Sequence, residues 1–401
     1  MTLGTPLLSG LKVIEFTHMV MGPAAGLVLA DLGAEVIKVE PVGGDKTRRL
    51  RGSGAGYFPM YNRNKKSLAI DLKSREGKRI AQDLISTADV FIENFRMGAL
   101  DRLGFGYDEL SALNPGLIYC SEKGFLHGPY ETRTALDEVA QMMGGLAYMT
   151  GPPGRPLRAG ASVIDVTGGM FGAIAILAAL EDRRRTGRGR HVTASLYETA
   201  VFLVGQHMAQ YAVTGSPAAP MPARVSAWAV YDVFELKDDE KMFVGVVSDG
   251  QWKTMCEAFD LLDWAEDPQL ADNNARVARR DEILPRLRSL FATYTLDDLA
   301  ERLEELGLPF APIRRPEDLF DDPHLRAGGG LLDMTIPDGG EIALPAMPVS
   351  VDGQRPGLFS DPPDIGQHTV EVLKSIGLSS EDISSLARQK LIEFPSAERG
   401  S

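Results

Sequence analysis

Asp165 stands in Gly160-Ala161-Ser162-Val163-Ile164-Asp165-Val166-Thr167-Gly168-Gly169-Met170, a short apolar run ending in one carboxylate with small residues close behind it. Such a carboxylate can act as a nucleophile, because glycines permit close approach and the N–H groups at a helix start stabilise nearby anions. Asp is equally a favoured N-cap, here for a helix from about Val166 through Ala178 to Arg184. The two roles are compatible. A second feature is cationic: Lys46, Arg48, Arg49, Arg51, Arg63, Lys65 and Lys66 cluster around Gly52-Ser53-Gly54-Ala55-Gly56. They suit phosphates or a carboxylate, or form a solvated basic loop.

Other chemistries find little support. Cys120 and Cys256 have no metal-ligand or disulfide spacing, and the six histidines, His18 among them, form no paired-ligand motif, so no metal is expected. A net charge of −13 argues against nucleic acid. No run reaches the ~18 apolar residues of a membrane span, and the start Met1-Thr2-Leu3-Gly4-Thr5-Pro6 lacks a secretory pattern. These features predict a cytoplasmic protein with no membrane partner.

The elements that must position Asp165 alternate between strands and helices. Leu11 to Phe16 reads as a strand, Ala25, Val28, Leu29 and Leu32 as a helix stripe, and Ala34 to Glu40 as a second strand. The pattern continues with a helix over about Ser74 to Ala88, a strand at Val90 to Phe95, a helix near Tyr107 to Leu113 and a strand at Gly116 to Ser121. It predicts an α/β fold with an open Rossmann-like parallel sheet. Helices follow near Leu136 to Met149 and Glu198 to Val213. The Pro-rich segment near Gly215 predicts a division into a large domain, 1–214, a linker, 215–225, a smaller α+β domain, 226–315, and a return segment, 316–401, completing the large domain. At 401 residues, two domains are the expectation. A dinucleotide site is not expected, since the turn His18-Met19-Val20-Met21-Gly22-Pro23-Ala24-Ala25-Gly26 lacks GxGxxG and Pro23 removes a donor. There is neither a Walker A loop nor a GxSxG elbow.

Several stretches resemble the CaiB/BaiF (class III) coenzyme A transferases, in order from Leu11 nearly to Ile376. They are Phe16-Thr17-His18 with Gly22-Pro23, Leu32 to Glu40, Asn62-Arg63-Asn64-Lys65-Lys66-Ser67, Glu93-Asn94-Phe95, Thr150-Gly151-Pro152, Asp165, Thr186-Gly187-Arg188-Gly189, Asp249-Gly250-Gln251-Trp252 and Gly366-Gln367-His368-Thr369. The resemblance implies an interlocked-dimer CoA-transferase fold. It further implies that Asp165 attacks an acyl-CoA thioester to form a mixed anhydride and then an aspartyl-CoA thioester, from which a second carboxylate collects the CoA. Donors for Asp165 and a developing oxyanion would come from the N–H groups of Thr167 to Gly169.

By the same resemblance CoA lies near Ile70, Asn94, Phe95 and Arg102. His18, Asp137, Gly250 and Gln251 support the substrate, and Arg48, Lys65 and Lys66 are candidates for phosphate or carboxylate contacts. Acyl-CoA and carboxylic acid are the substrates, a dicarboxylate such as succinate among them, with no tightly bound cofactor. Two departures matter. Val20, Leu136 and a lone Gly250 disfavour formyl-CoA:oxalate exchange, and Ala135-Leu136-Asp137 lacks the histidine of the related racemases, which removes a base for α-proton exchange. An acyl-CoA racemase or isomerase, or a CoA-binding protein without chemistry, is the alternative.

Overall fold

The computed structural model describes residues 6–224, 226–337 and 339–395. The chain forms two compact units, Met1–Pro222 with Pro323–Ser401, and Ala223–Asp322. In chain order the larger unit contributes β1 (Lys12–Phe16), β2 (Glu35–Glu40), β3 (Lys65–Ile70), β4 (Val90–Glu93), β5 (Ile118–Lys123) and β6 (Arg190–Ser195). The smaller unit holds β7 (Val230–Glu235), β8 (Lys241–Val246) and β9 (Phe310–Pro312), an antiparallel sheet. The chain then returns through a hairpin of β10 (Leu331–Thr335) and β11 (Glu341–Pro345) to β12 (Ile392–Glu393).

The main sheet runs β12-β3-β2-β1-β4-β5-β6, parallel except for β12, which pairs antiparallel with β3. Its order reverses between β1 and β4, the position where ligands enter open α/β sheets. Strand side chains alternate between two helical layers. Ile14, Phe16, Ile37, Val39 and Phe91 pack with Ile80 and Leu84 of helix Arg75–Ser86. Val13, Val36, Val90, Ile92 and Cys120 pack with Ala25 and Leu29 of the first helix, Met21–Asp31, and with Ile176 and Leu180 of the long helix, Val163–Thr186. Leu29 and Leu84 are fully buried, so trimming either to Ala would cost about 2–5 kcal/mol.

Four predicted elements differ. Lys65 and Lys66 begin β3 in the sheet, so the basic run is partly a strand; its Lys-Lys start hid the alternation. The stretch near Leu136 to Met149 is two helices, Asp137–Met143 and Leu146–Thr150, separated at Gly144 and Gly145, the latter at φ 85° where L side chains are strained. Leu196–Leu203 and Gly205–Thr214 likewise replace one helix. The long helix begins at Val163, one turn earlier than read, which places Asp165 inside its first turn and not at its cap. Among the described residues this helix alone is long and apolar enough to cross a membrane, yet it packs against the sheet and the first helix.

Candidate active site

The crevice at the switch point is built by the turns after β1 and β4. Asn94 closes it: the His18 N–H donates to Asn94 Oδ1 at 3.1 Å, and Asn94 Nδ2 donates to the His18 carbonyl at 2.8 Å. The His18 ring lies 5.5 Å from that of Phe95, and desolvation by its neighbours lowers its pKa from 6.5. Met19 adopts φ 62°, an uncommon conformation for a residue with a long side chain. Below the crevice, Lys123 Nζ meets Glu93 at 2.5 Å and donates to the Phe95 carbonyl at 2.8 Å, while Glu93 Oε2 accepts from the Phe95 N–H. His18, Asn94 and Phe95 are thus brought together and held.

The head of the long helix is organised by Asp137. Its Oδ2 accepts from the N–H groups of Ile164 at 2.9 Å and Asp165 at 3.1 Å, satisfying helix-start donors that have no partner within the helix. Oδ1 accepts from Gln141 Nε2 and faces Arg158 at 3.3 Å. Arg158 also donates to the carbonyls of Ala159 and Ala161 and pairs with Glu138, and Gln141 Oε1 accepts from the Ala159 N–H. The loop before the helix is therefore tied to the carboxylate that caps it.

No donor among the described residues reaches the Asp165 carboxylate. Burial, then the charges of Asp137 and Glu138, push its pKa up to about 7 against the opposing pull of Arg158. The Tyr61 phenol senses the same carboxylate, since burial and the Asp165 charge raise its pKa. One turn along, the long helix meets the first helix closely: a Cβ on Gly169 would fall 2.5 Å from the Met21 carbonyl oxygen. That approach, possible only for glycine, joins the helix carrying Asp165 to the helix that follows His18.

The structure ties several of the groups named from the sequence to partners of their own. Thr167 to Gly169 lie past the open donors of the first turn, so their N–H groups belong to the helix ladder and do not serve Asp165. Arg48 is engaged by Glu40 at 2.6 Å, by the Pro363 carbonyl and by the Phe58 ring 3.7 Å away. Lys65 is 0% exposed against Glu15 at 3.0 Å, where burial outweighs that partner and lowers its pKa to about 8. Lys66 is shared between Glu35 and Glu371. The Ile70 side chain belongs to the sheet core.

Arg102 is exposed on the short helix Ala99–Leu103. In the smaller unit, Gly250 and Gln251 form the first turn of helix Asp249–Ala258, where Ser248 Oγ accepts from the Gln251 N–H and Gln251 Oε1 accepts from the Val247 N–H. Sequence reasoning missed Arg158 and Tyr61. Arg158 carried a readable sign, a cation seven residues before Asp165; Tyr61 carried none. No group of three His, Cys, Asp or Glu is placed to hold a metal among the described residues.

A doubly wound sheet with a crevice at its switch point and a perturbed carboxylate on a neighbouring helix defines an α/β protein built for group chemistry on a small molecule. The chain belongs to CoA-transferase family III, which matches residues 8–369. It is 36% identical over 402 residues to an acyl-CoA transferase of Fusarium pseudograminearum, covering 96% of this chain and 88% of that one. It is 35% identical to a succinate–glutarate CoA-transferase of Agrobacterium fabrum, covering 92% and 96%. The crystal structure of a CaiB/BaiF family protein from Brucella suis superposes with a TM-score of 0.84 at 33% identity, over 93% of this chain and all of that one. The fold is that of these transferases, and the chain is an enzyme that transfers CoA to carboxylic acids.

Proposed function

We propose that Asp165 is the nucleophile that carries first the acyl group and then CoA. The observation that supports this most is a single one: its backbone is pinned by Asp137 while its carboxylate is left without donors and raised to about 7. A more basic carboxylate is a stronger nucleophile once ionised. An Asp165 oxygen attacks the thioester carbon and expels CoA as the thiolate. The thiolate attacks the aspartyl carbon of the anhydride, releases the donor carboxylate and leaves an aspartyl-CoA thioester. The acceptor carboxylate attacks that carbon and expels the thiolate, which then takes the acceptor acyl group and frees Asp165. One negative charge is conserved throughout.

Asn94, Phe95 and Arg102 bind CoA in this reading, and His18 and Asp137 support the substrate. Succinate or a related dicarboxylate belongs to the donor and acceptor pair, supported by the succinate–glutarate relative. The enzyme works in the cytoplasm as an interlocked homodimer. Supporting a partner subunit, Ile174 and Phe202 are 57% and 70% exposed, and Met170 and Met208 on the same run of helices are exposed too, apolar side chains of the kind that interfaces cover.

The test is intact mass after incubation with a panel of acyl-CoAs, paired with turnover assays. Wild type is expected to gain an acyl or CoA mass that Asp165→Ala cannot gain, with turnover falling about 10³-fold or more. Loading should rise with pH through about 7 as Asp165 ionises. Turnover surviving in Asp165→Ala defeats the reading, and exchange of an α-hydrogen with heavy water would point to isomerase chemistry instead.

A further inference from the structure

The acceptor in the reaction above is an anion that must approach three carboxyls, Asp137, Glu138 and Asp165. Like charges repel there, so the site needs a cation that can change partner. Arg48, Arg63 and Lys65 cannot, each being buried against its own carboxylate. Arg158 differs in being 30% exposed, with a buried partner in Asp137 and an exposed one in Glu138, at 52%. The carbonyls of Ala159 and Ala161 fix its Nε and Nη2, leaving the Nη1 edge against Glu138 as the movable contact. An exposed Arg–Glu pair adds little stability, so exchanging its carboxylate for another is nearly neutral.

We propose that Arg158 determines acceptor specificity: its Nη1 edge trades Glu138 for the distal carboxylate of a dicarboxylic acid while the other carboxylate reacts at Asp165. Nη1 alone carries two N–H donors, enough to hold one carboxylate by charge-assisted hydrogen bonds. Holding the distal group leaves the reacting carboxylate unpaired and nucleophilic. That carboxylate attacks the aspartyl thioester carbon, the C–S bond breaks and the thiolate leaves, with no proton transferred and Arg158 covalently unchanged. A monocarboxylic acid offers nothing for the exchange. The inference rests on Asp165 carrying CoA.

The experiment loads wild type, Arg158→Gln, Arg158→Lys and Glu138→Gln with succinyl-CoA, reads the adduct by mass, and follows discharge by glutarate and by butyrate. The glutarate-over-butyrate preference is expected to collapse at least tenfold in Arg158→Gln, to return in part in Arg158→Lys, and the KM for glutarate to fall in Glu138→Gln. A purely structural Arg158 would slow both acids equally, and an unchanged ratio overturns the proposal. If wild type turns over without forming an adduct, the Asp165 reading alone fails. The preference is then measured as a ratio of steady-state kcat/KM values, where a collapse in Arg158→Gln again supports the role of Arg158 and a constant ratio again overturns it.

Discussion

Two regions of the larger unit bury ionisable groups in opposite ways. Beneath the first helix, charges are matched: Lys65 meets Glu15, Lys38 bridges Asp45 at 3.1 Å and Glu15 at 3.8 Å, Arg48 grips Glu40, and Arg63 forks onto Asp31 at 2.7 and 3.1 Å. At the head of the long helix they are not, since Asp137, Glu138 and Asp165 face the one guanidinium of Arg158 and Asp165 has no donor of its own among the described residues. The matched layer rigidifies the sheet and offers nothing to a ligand. The mismatched cluster holds a raised pKa on the carboxylate proposed as nucleophile, so the direction of pairing, not the density of charge, separates the two regions.

Breaking the matched layer should have the largest effect on stability. Lys65→Met leaves Glu15 buried and short of its nearest cation, and is expected to lower unfolding free energy by about 3–5 kcal/mol, read from denaturant midpoints. The KM for acyl-CoA should stay put in protein that remains folded; a loss below about 1 kcal/mol would mean that the layer is wet and not matched.

At the mismatched cluster the effect is smaller and splits by substitution. Asp137→Ala removes a cap serving two N–H groups, at a cost of about 1–3 kcal/mol. Asp137→Asn keeps an acceptor oxygen but loses the charge that, after burial, most raises Asp165, so the acid limb of the pH–rate profile should move below about 7. An unmoved limb in the Asn variant would assign that titration to another group.

Glu122 sharpens the contrast at the smallest scale. It is buried on β5 against Gly172 of the long helix, neither oxygen has a hydrogen-bond partner, and burial with the charges of Glu15 and Glu93 raises its pKa well above 4.5. The folded state therefore keeps a proton that the unfolded chain releases above about 4.5, and stability falls as pH rises from there. Glu122→Gln should flatten that slope and stabilise the protein near neutrality by about 1 kcal/mol. Parallel slopes for the two proteins, measured by chemical denaturation from pH 5 to 8, would place an unseen partner on Glu122.

Much of the fold was legible because its signals are local. The apolar run Val13, Ile14, Phe16 and the stripe of Ala25, Val28 and Leu29 announce a strand and a helix whatever lies around them. β3 was not, because Lys65 looks solvated until β1 supplies Glu15 across the one intervening strand, β2. Of the candidate site, His18, Asn94, Phe95 and Asp165 were named from motif-like stretches and Asp137 from the family's pattern around it, while the hydrogen bonds joining them link positions 28 or 76 residues apart.

The sequence by itself determined the alternation of strands and helices and the family, because these are carried by residue type and short-range order. Tertiary structure decided which charges are usable. Pairing energy depends on distance and on exclusion of water, and both are set by chain segments far apart in sequence: Arg48 and Lys65 are bound up inside, while Arg158 is left where it can exchange one carboxylate for another.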